Sequence, residues 1–165
     1  MTIRQARPKP DYAAIATNHI GIANGHWARR ELTEAIDQTQ KALQLRENLV
    51  PPNEASVAAT FAMLSNIYQD SGNSALALEL NKKASVIFER VLSSDSPILA
   101  ELFYNLAQMQ LSLKLMEDAC RSYHRAVGIY RKYLPQGHPD RESAENEYRK
   151  VVQLLRENKT TKSKK

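Results

Sequence analysis

Cysteine is nearly absent. The 165-residue chain has one, Cys120, so no disulfide can form within it, and a reducing, cytoplasmic setting is expected. Long apolar runs are missing too: none approaches the ~20 residues that a membrane-spanning helix needs. The N-terminal MTIRQARPKP has no apolar stretch of the kind that a secretory signal carries. Those residues hold Arg4, Arg7 and Lys9 without an acid, as mitochondrial presequences do, but Pro8 and Pro10 oppose the amphipathic helix such a leader forms. The 5 glycines are scattered singly, so there is no phosphate-cradling loop. No alternating apolar–polar stretch bounded by turns predicts a strand, which disfavours a β-propeller.

Hydrophobic residues make up 42% of the chain, enough for a core. The net charge is +5, but it is concentrated at the ends. Arg4, Arg7 and Lys9 lie at one end; Arg156, Lys159, Lys162, Lys164 and Lys165 lie at the other, with Glu157 the one acid among them. The body between them is slightly acidic, so it is no platform for nucleic acid. Residues 1–11 and 157–165 are expected to be disordered tails, the second one basic.

What the chain does have is a period. Ala35, Ala77 and Ala119 are spaced by 42, as are Ala42, Ala84 and Ala126, and Leu45, Ile87 and Ile129. Ile22, Leu64 and Leu106 keep the spacing, each followed by a small residue, Ala23, Ser65 or Ala107. A fixed period of this length marks a stacked repeat, in which each unit needs its neighbours to bury its apolar face. Apolar residues recur at helical spacing, as in Leu76, Leu80, Ala84, Ile87 and Val91. Breakers fall where the period puts them: Pro51-Pro52-Asn53, Ser71-Gly72-Asn73, Ser93 to Pro97, and Pro135 to Pro139. Asn53 and Ser96 are candidate N-caps, and Pro97 and Pro139 suit first helical positions. Ala77 and Ala119 are expected where helices cross closely.

The expected fold is all-α: a right-handed α-α superhelix of three helical hairpins and a C-terminal capping helix. Its domain spans 12–156, with units at about 12–54, 55–96 and 97–138 and a cap at 139–156. Ala144, Tyr148, Val151, Val152 and Leu155 form the apolar side of that cap.

Residues 61–92 and 103–140 resemble tetratricopeptide repeats of the longer, kinesin-light-chain-like type. Leu64, Ser65 and Tyr68 match the first-helix signature, Gly72 the turn glycine, Ala77 and Ala84 the paired alanines, and Leu134 with His138-Pro139-Asp140 the closing turn. Gln110 and Lys114 stand where an aromatic and the turn glycine are usual, and Ser74 where an aromatic is common. In the first unit, Asn18 to Gly21 fit the signature, while the period selects Ile22-Ala23; an insertion of two residues would reconcile them. Residues 129–151 are also similar to the His-Pro-Asp segment of J-domain co-chaperones, but Pro135 and Gly137 would break the helix preceding that loop.

Catalytic constellations are not found. His19 and His26 have no cysteine or acid at metal-site spacing beside them. Cys120 and His124 share a helix face, yet no third group orients the pair. The expectation is no enzyme, no metal and no cofactor.

The resemblance implies a protein-interaction module or scaffold in which the first helix of each hairpin lines a concave groove for a peptide or partner helix. Helical spacing puts Asn24 and Trp27 on that face in the first unit, Asn66 and Gln69 in the second, and Glu101, Tyr104 and Gln108 in the third; Asn105 is a further candidate beside Tyr104. Amides can bond a peptide backbone, and aromatics bury area at low entropic cost. A subtype of the family clamps a terminal carboxylate with cations; its positions fall here on Ile20, Glu101 and Asn105, so the clamp is absent. The alternatives are binding of nucleic acid or an acidic partner through the basic ends, and a structural subunit of a larger complex.

Overall fold

The computed structural model describes the backbone of residues 10–162 and the side chains of residues 10–158. The described residues form seven α-helices and no strand: α1 (Tyr12–Ala28), α2 (Leu32–Glu47), α3 (Glu54–Asp70), α4 (Ser74–Val91), α5 (Pro97–Ser112), α6 (Met116–Tyr133) and α7 (Pro139–Lys162). They fall into two compact units divided between Asn53 and Glu54, the first with α1 and α2 and the second with α3 to α7. Within them α1 pairs with α2, α3 with α4 and α5 with α6, and α7 packs on α6.

The period recurs in the backbone. α1, α3 and α5 end at residues 28, 70 and 112; α2, α4 and α6 begin at 32, 74 and 116. Between them the chain turns through one left-handed residue, Arg30 (φ 63°), Gly72 (φ 83°) or Lys114 (φ 61°). The following amide closes the turn onto a carbonyl five residues back. Glu31 N–H donates to His26 (3.0 Å), Asn73 to Tyr68 (2.9 Å) and Leu115 to Gln110 (2.8 Å), which satisfies carbonyls that the helix end leaves open. Three identical turns place the first unit on the 42-residue register, so no two-residue insertion is present.

Small residues fill the hairpin contacts. Ala35, Ala77 and Ala119, Ala42, Ala84 and Ala126, and Ala23, Ser65 and Ala107 are all inaccessible to solvent. A third series, Ala16, Ala58 and Ala100, is equally buried. Ser65 tolerates burial because its hydroxyl donates to the Ala77 carbonyl at 2.7 Å. Gln110, standing in for the aromatic, is also buried, and its Oε1 accepts from the Ser122 hydroxyl at 2.8 Å. Around these contacts the second unit has a core of Phe88, Leu99, Leu102, Phe103, Leu106, Met109, Val127 and Tyr130.

Two local expectations are corrected. Ser96 precedes α5 but makes no side-chain cap bond; instead its carbonyl accepts from Leu99 N–H at 3.0 Å. Asp11, accepting from Ala13 and Ala14, and Asn73, accepting from Leu76, do cap their helices with side chains. The last helix does not stop at 156 but continues to Lys162, because no glycine or proline interrupts it after Pro139. Gln153 there donates to Glu157 one turn on, at 2.9 Å. The remainder of the two expected tails, 1–9 and 163–165, lies outside the described residues.

Candidate protein-interaction site

In the second unit α3, α5 and α7 carry the face read as a groove. Asn105 Nδ2 donates to Asn66 Oδ1 at 3.4 Å, joining α5 to α3. The hydroxyls of Tyr104 and Ser143 share a hydrogen bond of 3.0 Å, joining α5 to α7. Both pairs are 39 residues apart in sequence. Equivalent positions are therefore not side by side, as the period alone suggests. Successive first helices are offset by three residues, about 4.5 Å of helix rise, and the neighbour of Asn66 is Asn105 instead of Gln108.

Tyr104 is half-buried, its ring meeting the buried Tyr123 of α6 edge-on with centroids 5.6 Å apart. Burial pushes the Tyr123 phenol above its ordinary pKa, so this ring is a neutral wall. Glu101 and Gln108 are exposed on α5. Gln69 is half-buried, and its Oε1 is enclosed without a hydrogen-bond partner. In the first unit Asn24 is exposed on α1 and Trp27 is half-buried one turn on.

Beside this face lies a cleft of about 630 Å³, bounded by the start of α5, the end of α6, the turn after it and the start of α7. It gathers three of the expected residues, Glu101, Tyr104 and Asn105; sequence reasoning missed Tyr133, His138 and Asp140, which also line it. The His138-Pro139-Asp140 signature was visible as a turn, but only the packing of α7 on α6 turns that segment into a wall. Burial, then Asp140, then Glu101 raise the Tyr133 phenol pKa.

At its start α7 is held by charge. Glu145 accepts from Arg131 Nε at 2.8 Å and from Arg141 Nε at 3.1 Å, while Arg141 also donates to the Leu134 carbonyl at 3.0 Å. Glu145 occupies the repeat position at which α3 and α5 carry Phe61 and Phe103.

The histidines have structural partners. His19 Nδ1 lies 2.7 Å from Gln38 Oε1, and His26 Nδ1 2.6 Å from Glu31 Oε2. Hydrogen bonds from Arg29, then from His26, lower the Glu31 carboxyl pKa to about 2. His124 packs against Tyr148, with ring centroids 5.6 Å apart, and Cys120 is a half-buried free thiol. Among the described residues no three His, Cys, Asp or Glu side chains group as a metal site, and no helix is long and apolar enough to cross a membrane.

Comparison with known proteins agrees with this architecture. The tetratricopeptide repeat family profile matches residues 56–132. No curated protein matches the chain in sequence. Among solved structures, the chain is similar to a Podosopora anserina putative kinesin light chain of nearly identical TPR-like repeats, with 21% identity and a TM-score of 0.74 over 93% of this chain and 77% of that one. It is similar to BtubC (BKLC) from P. vanneervenii, with 17% identity and a TM-score of 0.75 over 87% of this chain; it spans 57% of that one. It is also similar to the first TPR of Spaghetti (RPAP3), solved bound to the HSP90 peptide SRMEEVD, with 16% identity and a TM-score of 0.65 over 87% of this chain and 94% of that one. Residues 56–132 match the tetratricopeptide repeat profile, and the chain shares the all-α repeat fold of these solved structures.

Proposed function

We propose that this chain is a non-catalytic protein-interaction module, and that its second unit holds an extended peptide or a helix of a partner protein against the face of α3, α5 and α7. The observation that carries this reading is the continuity of that face. Asn66, Asn105, Tyr104 and Ser143 are linked across three helices, and the cleft opens beside them. Amide groups there supply donors and acceptors for a peptide main chain, and Tyr104, fixed at ring and hydroxyl, offers a rigid contact at little entropic cost. Glu101, Gln108 and Gln69 flank it; Asn24 and Trp27 serve the first unit's own face.

Spaghetti, similar in fold, is bound to an HSP90 peptide. The carboxylate-clamp positions here hold Ile20, Glu101 and Asn105, none of them a cation, so a peptide with an acidic terminus is not the ligand proposed. A reducing intracellular setting suits the free Cys120.

The test is affinity capture of a partner by the full chain, by an Asn66→Ala/Gln108→Ala variant, and by a chain lacking residues 156–165. The reading predicts at least tenfold weaker capture, about 1.4 kcal/mol, for the double variant and a smaller change for the shortened chain. Capture that survives the double variant and is lost with the basic end would instead favour an electrostatic contact with nucleic acid or an acidic partner.

A further inference from the structure

The charges around the cleft point to what the partner brings. Glu101 and Asp140 line it, and its lining contains no lysine or arginine among the described residues. Cations nearby are engaged elsewhere: Arg131 and Arg141 with Glu145, and Lys132 with Asp95 at 2.5 Å. Glu101 has no ion pair among the described residues, and the Asp140 carboxylate has one ionic contact there, a long 3.8 Å approach to His138. Tyr133 is 38% exposed and presents an aromatic surface beside the two carboxylates.

We propose that this cleft receives a basic side chain, arginine or lysine, from the bound segment of the partner. The proposal rests on the interaction reading above and gives it a chemistry. The aliphatic stem would lie on Pro97, Ile98 and Leu134, which line the cleft, while the cationic head meets the two carboxylates and a tyrosine ring. Carboxylates accept charge-assisted hydrogen bonds from such a head, and an aromatic face attracts it. The start of α5 and the start of α7 bring fractional positive charge, and the end of α6 fractional negative charge. The two formal charges of Glu101 and Asp140 outweigh these fractions and decide the sign. The cleft, at about 630 Å³, has the size of a ligand pocket, enough for a side chain and the backbone that bears it.

The experiment is selection of binders to the full chain from a random-peptide phage library, with affinities of synthetic copies measured against three proteins: wild type, Glu101→Gln/Asp140→Asn and Asn66→Ala/Gln108→Ala. The expected result is binders that share an arginine or lysine. Changing it to glutamine, or using the Glu101→Gln/Asp140→Asn protein, should weaken binding at least about tenfold. Binders without a shared basic residue, weakened by Asn66→Ala/Gln108→Ala but not by the carboxylate changes, overturn the proposal and leave the interaction reading standing. Binders indifferent to both variants, or no binders, overturn both. Asp140 lies in the first turn of α7, where an acid supports the helix. If that double variant melts early, Glu101→Gln alone, on an exposed position of α5, makes the comparison.

Discussion

Asn105 reaches Asn66 across 3.4 Å, 39 residues back along the chain rather than 42. The same interval joins Tyr104 to Ser143. The repeat therefore advances along the sequence by 42 while α3, α5 and α7 slip by about one turn against each other. That slip selects which side chains share the candidate binding face.

The left-handed turns make the first prediction. A Cβ added at Gly72 meets no atom within 4 Å, so Gly72→Ala carries only the backbone cost of φ +83°, about 1–2 kcal/mol. Lys114 already bears that strain at φ 61°, and Lys114→Gly should raise the melting temperature. Denaturant unfolding of both variants checks the pair; a neutral Gly72→Ala would contradict it.

Ala77 and Ala119 are fully buried at helix contacts. Enlarging either to leucine should overpack the crossing and cost about 1–3 kcal/mol. Ala58 and Ala100, equally buried, should respond in the same way, and melting curves of the four single variants suffice to test this.

Those alanines also show what sequence can and cannot reveal. The turns, the helix ends and the buried small residues are local, and each repeats on one spacing, so the all-α repeat fold could be read directly. Ala16, Ala58 and Ala100 share that spacing but escaped notice, because alanine is as common on a solvated helix face as at a contact. The left-handed Lys114 could be placed only by its register, since lysine itself signals no such turn. The 39-residue pairing and the cleft arise from how helices cross. Glu101, Tyr133 and Asp140 come from three separate elements, and no local pattern joins them.

Gln69 carries a buried Oε1 with no partner. An unsatisfied buried acceptor costs about 1–3 kcal/mol, so Gln69→Met, of similar length and apolar, should be neutral or stabilising. A clear loss of stability would mean that the amide makes a contact the fold depends on.

Glu145 gives a pH prediction. Hydrogen bonds from Arg131, then from Arg141, hold its carboxyl pKa below the ordinary value. A lowered folded pKa contributes stability above the unfolded value of about 4.3, and that contribution fades as pH falls through the folded pKa. Wild type should therefore melt above Glu145→Gln near neutrality, and the gap should close under acid. A gap of constant size down to acidic pH would show that the ion pairs are not its source.

The central claim is that a partner protein binds on the face of α3, α5 and α7, and site-specific photo-crosslinking tests it most directly. A benzophenone amino acid is placed at Gln108, exposed on α5, or at Val86, 69% exposed on α4, in the full chain, and each protein is irradiated with its captured partner. The account predicts a crosslinked partner from position 108 and little or none from position 86. Equal crosslinking from both positions, or crosslinking from 86 alone, would contradict it.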